Sequence, residues 1–238
     1  MTEVKSLSNK QSIEEFLESF RESSERKRLT LLNVLEERVE ELLALGSTLM
    51  SSFDPLSCDW APGFILQLIH KTDDKFIKDN LKCEDLSWFK ASSEVGLDYS
   101  PLQRYLLNES YEDADRFTSS KLRELAGEKA VKRGYVYFSE VELIPSIDLS
   151  TLNKLWIVYS RGKFGFTVQA KILDSVGGRY DKLWPRIGWK KDGIWTRYPR
   201  AFNWSIEAPN GHMPLVNQLR GVRLMDALLN HQALIVKS

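Results

Sequence analysis

The sequence has few of the residues from which metal sites and disulfide frameworks are built. Its 238 residues include two cysteines, Cys58 and Cys83, and three histidines. The histidines are too scattered to form a zinc site with the cysteines, and neither an HExxH motif nor paired CxxC motifs occur. We expect two reduced thiols in a reducing compartment, with a disulfide between them as the open alternative.

The sequence also lacks an excess of charge and a long apolar run. Thirty-three basic residues balance 33 acidic ones, which argues against a dedicated nucleic-acid-binding protein, since these usually carry a basic excess. No apolar run approaches the roughly 20 residues needed to cross a bilayer, and the amino terminus resembles neither a signal nor a transit peptide. We therefore expect a cytoplasmic protein of prokaryotic or plastid-encoded origin, with no nucleic acid among its partners.

No catalytic constellation stands out. The glycines do not form a phosphate-binding loop ahead of a lysine. Ser160 and Lys163 match SxxK, but a two-residue match is expected by chance and the companion motifs are missing. No general acid or base can be singled out among the carboxylates, so the sequence does not predict an enzyme.

Helical periodicity dominates the first part of the chain. Ser12 and Glu15 form a capping-box pattern, followed by apolar residues at helical spacing: Ile13, Phe16, Leu17 and Phe20. One longer helix is predicted to follow and to stop near Gly46. Its apolar stripe consists of Leu32, Leu35, Val39, Leu42 and Leu43. With further helical patterns after Pro62, residues 1–90 are predicted to form an N-terminal helical bundle.

Helix also follows helix in residues 91–238, which are predicted to form the core domain. Pro101 and Pro214 stand where helices begin, and Asp148 is placed to cap the segment LSTLNKLWIVYS. Extended structure is expected only in KFGF and WTRYP. The predicted fold class is therefore all-α, with a long aromatic loop before the last helix.

That aromatic loop, residues 189–213, has no period that would give it a core-facing stripe. Trp156 is expected in the core of its own helix, and Trp184, Trp189 and Trp204 suit the core equally well. For the remaining large side chains, contact with a ligand or partner is favoured: Ile194, Trp195, Tyr198 and Phe202. Interleaved basic residues would also suit an anionic membrane surface.

The segment after the loop carries fixed positive charge. Arg220 and Arg223 suit carboxylates, and Gly221 between them allows close approach. Pairing with nearby acids such as Asp226 is as well supported as ligand binding. An aromatic loop beside an arginine-bearing helix indicates a large planar ligand with acidic groups.

Several motifs from Leu97 to Leu229 occur in an order that closely resembles the genomes-uncoupled-four family. They are LDYSPLQ, YEDADRFT, KLRELAG, YFSEVE, DLSTLNKLW, YSRGKFGFTVQ, KLWPRIGWK, WTRYPRAFNW and APNGHMPLVNQLRGVR. The resemblance covers about 130 residues and implies an all-α porphyrin-binding module of the cyanobacterial type, with a variable helical domain at its amino terminus. It implies protoporphyrin IX and magnesium protoporphyrin IX as ligands, with no cofactor required.

The resemblance also implies the residues of the site. In the family, the ligand lies in an apolar cleft between the long loop and an earlier interhelical loop. The positions that match are Trp195, Tyr198, Phe202, Asn217, Arg220, Arg223, Phe138 and Leu122. Arg220 is the expected propionate contact, and Tyr198 stands where some relatives have tryptophan.

The implied role is that of a non-catalytic activator of magnesium chelatase in chlorophyll biosynthesis. The expected partner is the large porphyrin-binding subunit of the chelatase, with peripheral contact to thylakoid or envelope membranes. The alternative is an interaction or membrane-docking scaffold whose aromatic loop engages a partner protein or a lipid surface.

Overall fold

The computed structural model describes residues 11–81, 88–216 and 222–235. The described chain is helical apart from one short hairpin, which confirms the predicted fold class. The first part contains α1 Ile13–Glu22, α2 Glu25–Glu37, α3 Val39–Ala44, a 3₁₀ helix Gly46–Thr48, α4 Ala61–Thr72 and α5 Asp74–Leu81.

The second part begins after residues 88–99, which form no helix or strand. Its helices are α6 Ser100–Leu107, α7 Tyr111–Leu125, α8 Glu128–Arg133, a 3₁₀ helix Phe138–Leu143, α9 Ser146–Val158, α10 Phe166–Ser175, α11 Tyr180–Arg186 and α12 Val222–Leu229. Strands β1 Lys190–Lys191 and β2 Ile194–Trp195 pair antiparallel inside the aromatic loop. Of the two segments predicted to be extended, KFGF contains no strand, and WTRYP contributes only Trp195, which belongs to β2. Among the described helices, none has the length and apolar character to cross a membrane.

The amino-terminal helices confirm one prediction and correct another. The capping box at the start of α1 is present, with the Glu15 N–H donating to Ser12 Oγ at 3.2 Å and the Ser12 N–H donating to Glu15 Oε2 at 3.1 Å. The single long helix predicted next is wrong, because the backbone leaves helical geometry at Arg38, between α2 and α3. The Arg38 guanidinium binds the Glu41 carboxylate and the Gln11 carbonyl there. The spacing of apolar residues gives no sign of this contact between Arg38 and the carbonyl of Gln11, which lies 27 positions away.

The two parts of the chain pack directly on one another. Gln67 on α4 donates from Nε2 to the carbonyls of Leu106 and Tyr159, both at 2.9 Å. Lys154 on α9 donates from Nζ to the Pro55 carbonyl at 2.7 Å. Helix α4 therefore shares a core with α6 and α9, while the predicted boundary at residue 90 stays a prediction.

Asp148 does not cap a helix, and that prediction is wrong. Helix α9 begins at Ser146, and the Asp148 side chain is buried in its first turn. Its carboxylate accepts hydrogen bonds from Ser93 Oγ at 2.5 Å, the Glu94 N–H at 2.9 Å and Tyr99 Oη at 2.7 Å. Asp148 thus holds the stretch before α6 against α9.

The last described helix begins later than predicted. Residues 214–216 are not helical, and the Met213–Pro214 peptide bond is cis. Helix α12 packs on the 3₁₀ helix Phe138–Leu143 and buries Leu224. Helical spacing after Pro214 predicts a buried stripe, and its described members Leu215, Met225 and Leu229 are buried, whereas Val222 is exposed. Leu219, the remaining member, lies outside the described residues.

Trp156 is fully buried in α9, as predicted. Its indole Nε1–H donates to Thr118 Oγ1 on α7 at 2.9 Å. This contact holds the first half of α7 in the core. The second half of α7 lines the cleft described below.

Candidate ligand-binding cleft

A cleft opens between the second half of α7, residues 134–136, the 3₁₀ helix Phe138–Leu143, the stretch 215–216 and α12. Its cavity volume is about 60 Å³, below the roughly 300–1,000 Å³ of common small-molecule sites, so only part of a large ligand would fit inside it. Its apolar walls are built from Leu122, Val136, Val141, Ile144, Leu215, Val216, Leu224 and Leu228. Predicted site residue Leu122 is therefore part of a wall.

Two arginines lie on the helices that form these walls. Arg123 lines the cleft and donates from Nη1 to Ser119 Oγ at 3.1 Å. Arg223 lies on α12 next to the lining residue Leu224, and its Cζ stands 5.6 Å from the centroid of the Phe138 ring, a cation–π distance. The cleft thus combines an apolar interior with one lining cation, Arg123, suited to carboxylates.

Sequence reasoning missed Arg123, although a signal was present. Ser119, Leu122 and Arg123 are spaced i, i+3 and i+4 on α7 and share one face. Helical spacing on α7 therefore places Arg123 beside Leu122, which the family resemblance had already indicated.

One wall of the cleft is tied to α7 by a buried carboxyl group. Asp115 Oδ1 accepts the backbone N–H of Leu215 at 2.6 Å, and the Asp115 side chain is buried. Burial raises the pKa of the Asp115 carboxyl to about 7, and the hydrogen bond from Leu215 opposes that rise. The group is therefore close to half ionised at neutral pH.

The stretch before Leu215 is anchored from α10. Gln169 donates from Nε2 to the carbonyls of Gly211 at 2.9 Å and Pro214 at 2.8 Å. Gly211 has φ of +74°, and a Cβ there would stand 2.8 Å from Ile172 Cδ1, so this position requires glycine. The end of the aromatic loop is thereby fixed against the core.

The first aromatic cluster of the loop surrounds Trp184. The Trp184 and Trp189 rings stack at 5.6 Å and 7°, and both are buried, so the core interpretation holds for them. Trp195 packs on Trp184 at 5.5 Å between ring centroids and has Lys190 Nζ 5.3 Å from its ring. Tyr180 packs on Trp184 and donates its hydroxyl to Asp226 Oδ1 on α12 at 3.0 Å. This cluster therefore reaches the helix that carries Arg223.

The second cluster contains Tyr198, Phe202 and Trp204, whose ring centroids lie within 6.2 Å of one another. Tyr198 is 48% exposed, whereas Phe202 is 6% exposed and also contacts the His212 ring at 5.1 Å. The Arg116 guanidinium of α7 forms an ion pair with Glu112 at 2.5 Å, and it opposes the rise that burial causes in the pKa of the Tyr198 hydroxyl. The second cluster thus lies near the helix that lines the cleft.

His212 is buried at the base of the loop. Its Nδ1–H donates to the Ile187 carbonyl at 2.6 Å, and Trp189 Nε1 donates to the His212 carbonyl at 2.8 Å. His212 Nε2 has no hydrogen-bond partner among the described residues. Burial lowers the pKa of His212, so the neutral ring is favoured.

The structure brings some of the predicted site residues together and separates others. Leu122, Phe138 and Arg223 lie on elements that line the cleft, whereas Trp195 belongs to the first aromatic cluster and Tyr198 and Phe202 to the second. Asn217 and Arg220 lie outside the described residues. In the part of the chain that the structure describes, no three His, Cys, Asp or Glu side chains are grouped to hold a metal ion.

Comparison with known proteins gives consistent results. The chain is 39% identical over 222 residues to the Ycf53-like protein of Synechocystis sp., covering 92% of this chain and 95% of that protein. It is 37% identical over 149 residues to a chloroplastic tetrapyrrole-binding protein of Arabidopsis thaliana, covering 59% of this chain and 56% of that protein.

A solved structure of GUN4 from Chlamydomonas reinhardtii superimposes with a TM-score of 0.58 and 39% sequence identity. The match covers 61% of this chain and 95% of that chain. The GUN4-like family model matches residues 92–232, which include α6 to α12 and every residue of the cleft. The chain therefore belongs to the GUN4-like family.

Proposed function

We propose that this protein binds a tetrapyrrole in the cleft beside α7 and α12. The observation that carries the proposal is an apolar cleft lined by Arg123, with Arg223 on the adjoining helix α12, since a tetrapyrrole presents a large apolar ring and carboxylate groups to its binding site. The tetrapyrrole-binding name of the Arabidopsis relative supports the same ligand class.

The specific ligands we propose are protoporphyrin IX and magnesium protoporphyrin IX. Leu122 and Phe138 would contact the ring, while Arg223 and Arg123 would hold carboxylates by charge-assisted hydrogen bonds. Trp195, Tyr198 and Phe202 of the aromatic loop, with Asn217 and Arg220 of the following segment, would complete the site. The residues present suit ring and carboxylate contacts without a further cofactor.

Two adjacent serines on α7 provide a sharp test. Ser119 lines the cleft, whereas Ser120 is exposed on another face of the helix. Protoporphyrin IX and its magnesium derivative would be titrated while tryptophan fluorescence quenching is followed. Ser119→Phe fills the cleft and should weaken binding by about tenfold or more, whereas Ser120→Phe should bind as the wild type does. Absence of saturable binding by the wild type would overturn the proposal.

Within that role, the protein would be an accessory activator of magnesium chelatase and not itself a catalyst. Family membership and the motifs of residues 97–229 support this proposal, with the large porphyrin-binding subunit of the chelatase as partner. Adding the protein to a chelatase assay should increase the rate of magnesium insertion, and the protein incubated with porphyrin and magnesium alone should insert none. An unchanged chelatase rate would leave ligand binding as the whole function.

A second candidate function is docking to a partner or an anionic membrane surface, at a cytoplasmic face of thylakoid or envelope membranes. Ile194 at the hairpin is 72% exposed, and basic side chains are exposed on the same loop: Lys191, Arg197 and Arg200. Vesicle flotation without porphyrin tests this reading, with neutral vesicles as the control. An Ile194→Ser variant should float less than the wild type if the hairpin inserts.

A further inference from the structure

We propose that Asp115 is a positioning residue of the tetrapyrrole cleft. Through the Leu215 N–H, it sets where the wall formed by Leu215 and Val216 stands relative to α7. This inference rests on the proposed function, because the quantity that it explains is tetrapyrrole affinity.

The hydrogen bond joins two walls of the same cleft. Asp115 and Leu122 lie seven residues apart on α7, which is about two helical turns. Leu122 forms one wall of the cleft, and the Leu215 amide that Asp115 holds begins another. The Asp115 side chain therefore ties one wall directly to the helix that forms the other.

Three successive residues at the start of the wall are held by two helices, α10 and α7. The Met213 carbonyl accepts from the Gly165 N–H at 2.9 Å, immediately before α10, and the Pro214 carbonyl accepts from Gln169 on α10 at 2.8 Å. The Leu215 N–H is held by Asp115 on α7. Of these three attachments, the one to Asp115 is made by a helix that itself lines the cleft.

Burial makes this attachment costly to remove. Both Asp115 and Leu215 are buried, so loss of the acceptor would leave the Leu215 N–H without a partner and without water. The wall would then be free to shift toward other partners for that amide. The aromatic loop would keep its own anchor on α10, where Gln169 donates to the Gly211 carbonyl at 2.9 Å.

The test compares Asp115→Leu, which removes the acceptor, with Asp115→Asn, which keeps a carbonyl oxygen at the same position. Protoporphyrin IX affinity is measured by fluorescence quenching on the full chain, with thermal melting recorded for each variant. We expect Asp115→Leu to weaken binding about tenfold, and Asp115→Asn to stay within about twofold of the wild type. Asp148→Asn is the matched control, since it alters a second buried aspartate away from the cleft and should leave the affinity unchanged.

Each outcome has a distinct meaning. If a folded Asp115→Leu variant binds with wild-type affinity, the inference is wrong, while the proposed function stands. The same conclusion follows if Asp115→Leu and Asp115→Asn lose affinity equally. Should Asp115→Leu fail to fold, Asp115→Ser withdraws the acceptor with a smaller change, and wild-type affinity there would also overturn it. Absence of binding by the wild type would overturn the proposed function, and the inference with it.

Discussion

Gly63 on α4 lies so close to the Val158 carbonyl on α9 that a Cβ at position 63 would stand 2.0 Å from the oxygen. Such an approach is open only to glycine at this place in a helix. Together with the two hydrogen bonds from Gln67, it joins the first part of the chain to the part matched by the family model. The stability of the two parts should therefore be coupled.

The first prediction concerns this contact. Gly63→Ala should lower the free energy of unfolding by about 1–3 kcal/mol, because a methyl group must displace backbone on α9. Urea denaturation followed by circular dichroism measures the change. Lys71→Ala on the same helix removes an exposed salt bridge to Glu109 and should alter stability by less than about 1 kcal/mol. Equal midpoints for wild type and Gly63→Ala would show that α4 does not pack on α9 in solution.

The second prediction concerns the cation inside the cleft. Arg123→Ala should weaken protoporphyrin IX binding by about three- to tenfold, since it removes a charged donor for a carboxylate at a partly exposed site. Arg26→Ala, an exposed substitution on α2, is the charge-matched control and should leave the affinity unchanged. A porphyrin ester without free carboxylates should bind both variants equally. If Arg123→Ala binds the ester more weakly than Arg26→Ala does, Arg123 does not contact a carboxylate.

The third prediction follows from the pKa of Asp115. Its folded-state pKa of about 7 lies above the ordinary value of 3.8, so the folded state retains a proton that the unfolded state has released. This group therefore contributes stability at low pH that is lost as the pH rises from about 4 to 7. Between pH 5 and 8, the wild type should lose about 2–3 kcal/mol of unfolding free energy relative to Asp115→Asn. If the difference in unfolding free energy between the wild type and Asp115→Asn does not change with pH, Asp115 is not buried as described.

In the fourth prediction, stability is lost as the pH falls, whereas the Asp115 contribution is lost as the pH rises. Burial lowers the pKa of His212 below its ordinary value of 6.5, so the unfolded state binds the proton more readily. The stability contributed by the neutral ring is present above pH 6.5 and is lost as the pH falls below it. His212→Asn keeps an N–H donor for the Ile187 carbonyl but cannot titrate, so it should lose less stability on acidification. Parallel acid-denaturation curves for the two proteins would contradict this role.

Short-range patterns in the sequence were sufficient for much of the fold. The capping box at Ser12 and the apolar spacing of the helix that follows it depend on residues three or four apart, and these periodicities identify helices wherever one face is buried. The aromatic loop was also recognisable, because tryptophans spread among prolines match no regular element. Leu122 and Arg223 were predicted in the site through the family resemblance.

Contacts between distant residues decided the rest. Asp115 and Leu215 are 100 positions apart, and nothing in the spacing of either residue shows that one binds the other. The same holds for the Asp148 carboxylate, for the break at Arg38 and for the non-helical stretch after Pro214. By itself, the sequence determined which segments are helical and which family the chain resembles, since local periodicity and motifs record both. Only the tertiary structure decided which polar groups are buried and which residues line the cleft, because burial depends on what the rest of the chain places around each residue.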